Sequence, residues 1–110
     1  MVIANLGEGV EEIGVSAFQE CALLNEISIP PTVKVIKAMA FYRCSQLTTV
    51  NLGEGLEEIG ASAFQECILL DEISIPPAVK VIKKRAFWSC SQLAIVYVTI
   101  IVPNVLTYLD

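Results

Sequence analysis

Four cysteines, Cys21, Cys44, Cys67 and Cys90, recur at one constant interval. Thiolates bind zinc and attack carbonyls, but neither chemistry suits this spacing: there is no C-x-x-C pair, and the chain has no histidine. Without histidine, no conventional set of nucleophile, base and orienting acid can be assembled. The even count leaves two readings, buried thiols that behave as small hydrophobes and bridges between successive repeats. The place of the cysteines among apolar positions favours the thiols, and the redox compartment is left open.

Paired carboxylates occur at Glu11-Glu12 and again at Glu57-Glu58. Such pairs can do acid-base work or hold calcium. In an extended segment, however, neighbouring side chains point to opposite faces, and no Asp-x-Asp ligand series surrounds these pairs, so a solvated charged face is expected. The Gly-Glu-Gly stretches at 7–9 and 53–55 are not phosphate loops: the Gly-Lys-Ser/Thr ending is missing, and Pro-Pro fills the same corner at 30–31 and 76–77. The stretch IKKRAFW at 82–88 gathers Lys83, Lys84, Arg85 and Trp88, a mixture that nucleic-acid and other anionic ligands exploit. Against that stands a formal net charge of -5, which disfavours nucleic acid and anionic membranes. A solvated edge is the expectation there, and Tyr42 and Trp88, which share one repeat position, suit a protein contact better. No catalytic, cofactor-binding or metal-binding residue is expected.

What positions these residues is a repeat. Residues 5–50 and 51–96 are identical at 35 of 46 positions, and each block divides into two equal units. The units run 5–27, 28–50, 51–73 and 74–96, with a partial fifth at 97–110, in a single domain covering 1–110. Each complete unit keeps eight apolar columns. Among them are Ile13, Ile36, Ile59 and Ile82; Phe18, Phe41, Phe64 and Phe87; the cysteines; and Leu24, Leu47, Leu70 and Leu93. Around each unit boundary the chain reads L-x-x-[IV]-x-[LIV], the alternation of a strand with one buried face. A glycine or proline turn follows. The I-G-x-S-A-F-x-x-C stretch then reads as a short extended piece and one helical turn. A lone coil of this length is too small to stand by itself, so the units must stack into a solenoid held by nearest neighbours.

Charge alternates with the coils. The first carries five glutamates and no base, the second Lys34, Lys37 and Arg43 and no acid, and the third and fourth repeat the contrast. Stacking in register makes ladders of Glu11, Lys34, Glu57 and Lys80, and of Glu20, Arg43 and Glu66. Such ladders penalise a slip of one coil, which would bring like charges together.

The pattern L-x-x-I-x-[IL]-P-x-x-V-x-x-I-x-x-x-A-F-x-x-C, repeated over 5–96, resembles the BspA-like, surface-antigen class of leucine-rich repeat. The resemblance implies an α/β fold: a right-handed solenoid with a parallel β-sheet on the concave face and short strands and single helical turns opposite. It implies non-enzymatic recognition of a protein partner, and a cell-surface or secreted setting if the chain is a fragment; no signal peptide is visible at the amino terminus. The polar strand positions would form the concave binding face: Glu26, Ser28, Thr49, Asn51, Glu72, Ser74, Ile95 and Tyr97. The alternative is a structural piece of a longer array with no binding site of its own. Residues 97–110 depart from the pattern, with Leu109 where alanine belongs and Asp110 where phenylalanine belongs. The apolar run at 93–102 is too short to span a bilayer, which takes about 20 residues. Neither end looks capped, so end-to-end self-association is expected.

Overall fold

The computed structural model describes residues 1–98, the last four as backbone only. Nine strands follow one another: β1 (Val2–Asn5), β2 (Glu12–Ile13), β3 (Leu24–Ser28), β4 (Val35–Ile36), β5 (Thr49–Asn51), β6 (Glu58–Ile59), β7 (Glu72–Ile75), β8 (Val81–Ile82) and β9 (Ala94–Val98). The odd-numbered strands form one parallel sheet in the order β1-β3-β5-β7-β9, and the even-numbered ones a second, in the order β2-β4-β6-β8. Pairings such as Ile27 with Val50 and Ile13 with Ile36 join equivalent positions of successive units, so the register reproduces the repeat. Coils 1 to 4 below are residues 5–27, 28–50, 51–73 and 74–96.

The strands are short because each corner has its own chemistry. Along β7 burial alternates, with Glu72 and Ser74 exposed and Ile73 and Ile75 buried, the pattern of a sheet with one wet face. The inward residues of all coils meet in one core. Phe41, Phe64 and Phe87 are buried there, and the rings of Phe18, Phe41, Phe64 and Phe87 stack nearly parallel, 5.0 to 5.4 Å between centroids. No charged or polar side chain is buried among the described residues, so the core contains no ion whose desolvation must be offset.

The third wall of each coil departs from the expected helical turn: no helix occurs among the described residues. A helical turn sends its N–H groups back along its own segment, whereas here alternate N–H groups cross to the next coil. Those of Ser16, Phe18 and Glu20 donate to the carbonyls of Ala38, Ala40 and Tyr42 at 3.1, 2.7 and 2.7 Å, and the set repeats from coil 2 to 3 and from coil 3 to 4. The intervening groups close tight turns, Ala17 to Gly14, Gln19 to Ser16 and Cys21 to Phe18. To aim its amides this way the chain turns left-handed twice per coil. Ser16, Met39, Ser62 and Arg85 at one position, and Glu20, Arg43, Glu66 and Ser89 at another further along, have φ between +57° and +62°. None of the eight is glycine, so Cβ crowding is tolerated at each. Stacking compensates for that strain, because the same conformation supplies the ladder that joins the coils.

Candidate binding face

The five-stranded sheet sets the polar strand positions in two rows. Glu26, Thr49 and Glu72 are register partners across β3, β5 and β7. Ser28 pairs with Asn51, and Ser74 with Tyr97 of β9. The Asn51 side-chain amide donates to the Ser28 hydroxyl at 3.3 Å, tying the second row together. Ile95 leaves the first row. A register shift between Ile73 and Ser74 sets Ala94 opposite Glu72 and Ile95 opposite Ile73. The run AIVYV has no polar residue before Tyr97 to fix which face turns outward, so alternation alone does not specify its register.

Between β5 and β7 lies a depression of about 450 Å³, whose polar lining comes from Thr48, Thr49, Asn51, Asp71, Glu72 and Ser74. Thr48 and Asp71 were absent from the sequence-derived strip because strict alternation would turn them away from Thr49 and Glu72. At the strand entrance the chain is not fully extended: the Thr48 and Thr49 hydroxyls lie 3.4 Å apart, and the Thr48 hydroxyl also donates to the Asn25 carbonyl at 3.2 Å. The signal available in the sequence was the polar column Asn25, Thr48 and Asp71. Two carboxylates, hydroxyls and an amide make the depression rich in acceptors, suited to N–H donors and cationic groups on a partner.

Elsewhere the candidate chemistry resolves into structure. All four cysteines are free. The thiols of Cys44, Cys67 and Cys90 donate to the carbonyls of Phe18, Phe41 and Phe64 in the preceding coil at 3.1, 3.1 and 3.0 Å. Loss of water pushes Cys44 and Cys90 up to about 11, opposed by a backbone contact from the preceding cysteine, and raises Cys67 as well. A thiol held neutral is a poor nucleophile and a poor metal ligand. The charge ladder forms in one of its two columns. Arg43 reaches Glu20 at 3.9 Å and Glu66 at 3.3 Å. In the other column the side chains do not pair among the described residues; the backbones do, Lys34 N–H to the Glu11 carbonyl and Glu57 N–H to the Lys34 carbonyl, both at 2.8 Å. The ion pairs there run diagonally instead, Lys37 to Glu12 and Lys83 to Glu58, each at 3.3 Å. The Arg85 guanidinium lies over the Trp88 ring, 5.5 Å from its centroid. Among the described residues no group of acidic, cysteine or histidine side chains could hold a metal ion, and no helix is long and apolar enough to cross a membrane.

A parallel-strand β-solenoid of about four turns, with leucine, isoleucine, phenylalanine and cysteine columns inside, is the leucine-rich-repeat architecture. The chain belongs to the BspA type leucine-rich-repeat family, whose profile matches residues 3–109 in six copies. Solved structures agree. A leucine-rich repeat protein from Bacteroides capillosus is 29% identical with a TM-score of 0.77, over 87% of this chain and 76% of that one. The T. pallidum leucine-rich repeat protein is 28% identical with a TM-score of 0.64, over 86% of this chain; the chain spans 57% of its length. A leucine-rich cell surface protein from Faecalibacterium prausnitzii shares the fold at 23% identity and a TM-score of 0.78, over 98% of this chain and 34% of that one. Among curated proteins none matches the chain.

Proposed function

We propose that the chain is a non-enzymatic protein-interaction module that binds through the exposed face of its five-stranded sheet. The observation that carries this reading is the acceptor-lined depression between β5 and β7, where Thr49, Asn51, Glu72 and Ser74 converge with Asp71. Membership of a family commonly used for interaction supports it. A partner presenting lysine, arginine or free backbone N–H groups along an extended segment matches that lining. End-to-end association of copies is a separate expectation that this reading does not require, and light scattering over a dilution series decides it: a monomer throughout the series rejects it.

The test is photo-crosslinking from the face itself. A photoreactive residue at Ser74 should capture a partner polypeptide, and Glu72→Lys in the same chain should abolish capture while Lys80→Glu, outside the face, leaves it intact. Capture that persists through Glu72→Lys and Asn51→Ala would place the contact elsewhere and end the proposal.

A further inference from the structure

Coil 3 sits on coil 2 through contacts that coil 1 is built to make and does not. A Cβ added at Gly53 would lie 2.6 Å from the Ile29 carbonyl oxygen, and one at Gly60 2.7 Å from the Ala38 nitrogen; one at Gly55 would run into the Pro31 carbonyl. These glycines exist because the Pro-Pro coil comes too close for a side chain. Coil 1 has the same glycines, Gly7, Gly9 and Gly14, and a Cβ at each meets nothing within 4 Å among the described residues. Other parts of its face are uncovered too. Ala17 is exposed where Ala40, Ala63 and Ala86 are buried. Val2, Phe18, Cys21, Ala22, Leu23 and Leu24 line an apolar hollow of about 380 Å³. Among the described residues β1 pairs with β3 alone, which leaves its other edge unpaired there.

Charge selects among the coils that could cover this face. Glu66 takes Arg43 from the preceding coil at 3.3 Å; among the described residues its counterpart Glu20 has Arg43 on the following side only, at 3.9 Å. Coil 1 adds Glu8, Glu11 and Glu12 and has no base. Two such faces would repel each other. The coil 4 face of a second copy, similar in sequence to coil 2, does not fit either, since β9 already holds the edge of β7 that β1 would need.

We propose that the amino-terminal face of coil 1 is a docking surface for one further leucine-rich-repeat coil of the basic, Pro-Pro type, seated in line as coil 2 seats under coil 3. Such a coil closes its Pro-Pro corner over Gly7 and Gly9, runs its backbone against Gly14, sets an arginine beside Glu20 and offers a carbonyl to the Cys21 thiol. It also pairs the open edge of β1.

The experiment joins a copy of residues 24–50 directly to Asn5 in place of residues 1–4, beside a control carrying residues 47–73, an acidic coil of equal length. The basic extension should raise the urea midpoint and steepen the transition by about a quarter, since the slope follows the surface buried and a fifth coil joins four. It should also slow labelling of Cys21 to the rate of Cys44. The acidic extension should do neither at low salt. Gly14→Ala supplies the independent check: neutral in the chain as it stands, it should become as damaging as Gly60→Ala once a coil is seated. Equal behaviour of the two extensions, or Gly14→Ala remaining neutral in the basic one, overturns the proposal. So does concentration-dependent association of the unextended chain that Gly14→Ala abolishes, which would make a second copy the occupant.

Discussion

The cysteine column should make this protein sensitive to alkali in a defined window. Burial holds the Cys44 and Cys90 thiols up to about 11, against about 9 for the ordinary thiol. Between those values the unfolded chain gives up a proton that the folded chain retains, so the unfolded state binds fewer protons and stability falls as pH rises. Below pH 9 both states keep the proton and the contribution is flat. One pKa unit is worth about 1.4 kcal/mol, so Cys44, fully buried, accounts for roughly 2 to 3 kcal/mol of loss by pH 11, and half-buried Cys90 for somewhat less. Cys67 is raised in the same direction and extends the loss to higher pH. A loss of that size at Cys44 alone is a substantial share of the stability of a small domain, about 5 to 15 kcal/mol.

Substitution at Cys44 isolates the slope. Cys44→Ser keeps a donor to the Phe18 carbonyl but cannot ionise there. Urea titrations under reducing conditions, at intervals from pH 8 to 11, give stability against pH for both chains. The parent should lose up to about 1.4 kcal/mol per pH unit more than Cys44→Ser through the window, whatever the variant costs at pH 8. Parallel profiles would mean that the Cys44 thiol ionises in the folded state as readily as in the unfolded one, and the hydrogen-bonded thiol column would be wrong.

Two further outcomes test the turn ladder and the charges. Ser62→Gly should stabilise the chain by up to about 1 kcal/mol: relief of left-handed crowding is worth about 1 to 2 kcal/mol, and added glycine entropy returns about 0.5 to 1. The strand substitution Ser74→Gly should lower the urea midpoint, and equal losses from the two would contradict the left-handed assignment at Ser62. Arg43→Glu, flanked by Glu20 and Glu66, should lower the midpoint at low salt and recover in 1 M salt, where the Debye length falls to about 3 Å. Lys34→Glu, in the column whose side chains do not pair among the described residues, should show the smaller deficit; the reverse ranking would mean that the ladder runs through Lys34.

The period, the strand positions and the inward columns were legible because each is a matter of which side chains leave water, and burial repeats with the same period as the sequence. The stacked phenylalanines and the Glu20, Arg43, Glu66 column follow from the same alignment. The wall between Gly14 and Cys21 was not legible. Ser-Ala-Phe has the composition of a helical turn, and what decides otherwise is where Ser16, Phe18 and Glu20 send their N–H groups, which depends on Ala38, Ala40 and Tyr42 of the neighbouring coil. Glycine would have announced the left-handed positions, but serine, methionine, arginine and glutamate occupy them. The diagonal pairs Lys37 to Glu12 and Lys83 to Glu58 escaped for a related reason: a long side chain reaches past its own column. Within the proposed binding strip, Thr48 and Asp71 depended on the local backbone course at the strand entrance, and Ile95 on a register that an apolar run does not fix. Of the expected break in the repeat at 97–110, residues 99–110 lie outside the described residues.

The alternation of coils is steric as well as electrostatic. Glycine corners in coil 3 accept the backbone of the Pro-Pro coil before them, and no side chain fits there; the junction of coil 1 with coil 2 puts the two kinds of corner in the opposite order. The solenoid therefore contains two distinct interfaces, and exchanging one for the other sets Lys37 or Lys83 where Gly60 is required, with Arg43 losing its flanking glutamates. A slip of one coil is opposed on both counts. A slip of two coils meets neither penalty, because 35 of 46 positions are identical between the two blocks and every glycine, proline and charged ladder position except Arg43, which Ser89 replaces, returns to its own kind. Misassembly during folding should thus occur in steps of a coil pair, which makes the pair, rather than the single coil, the unit in which this chain specifies its own structure.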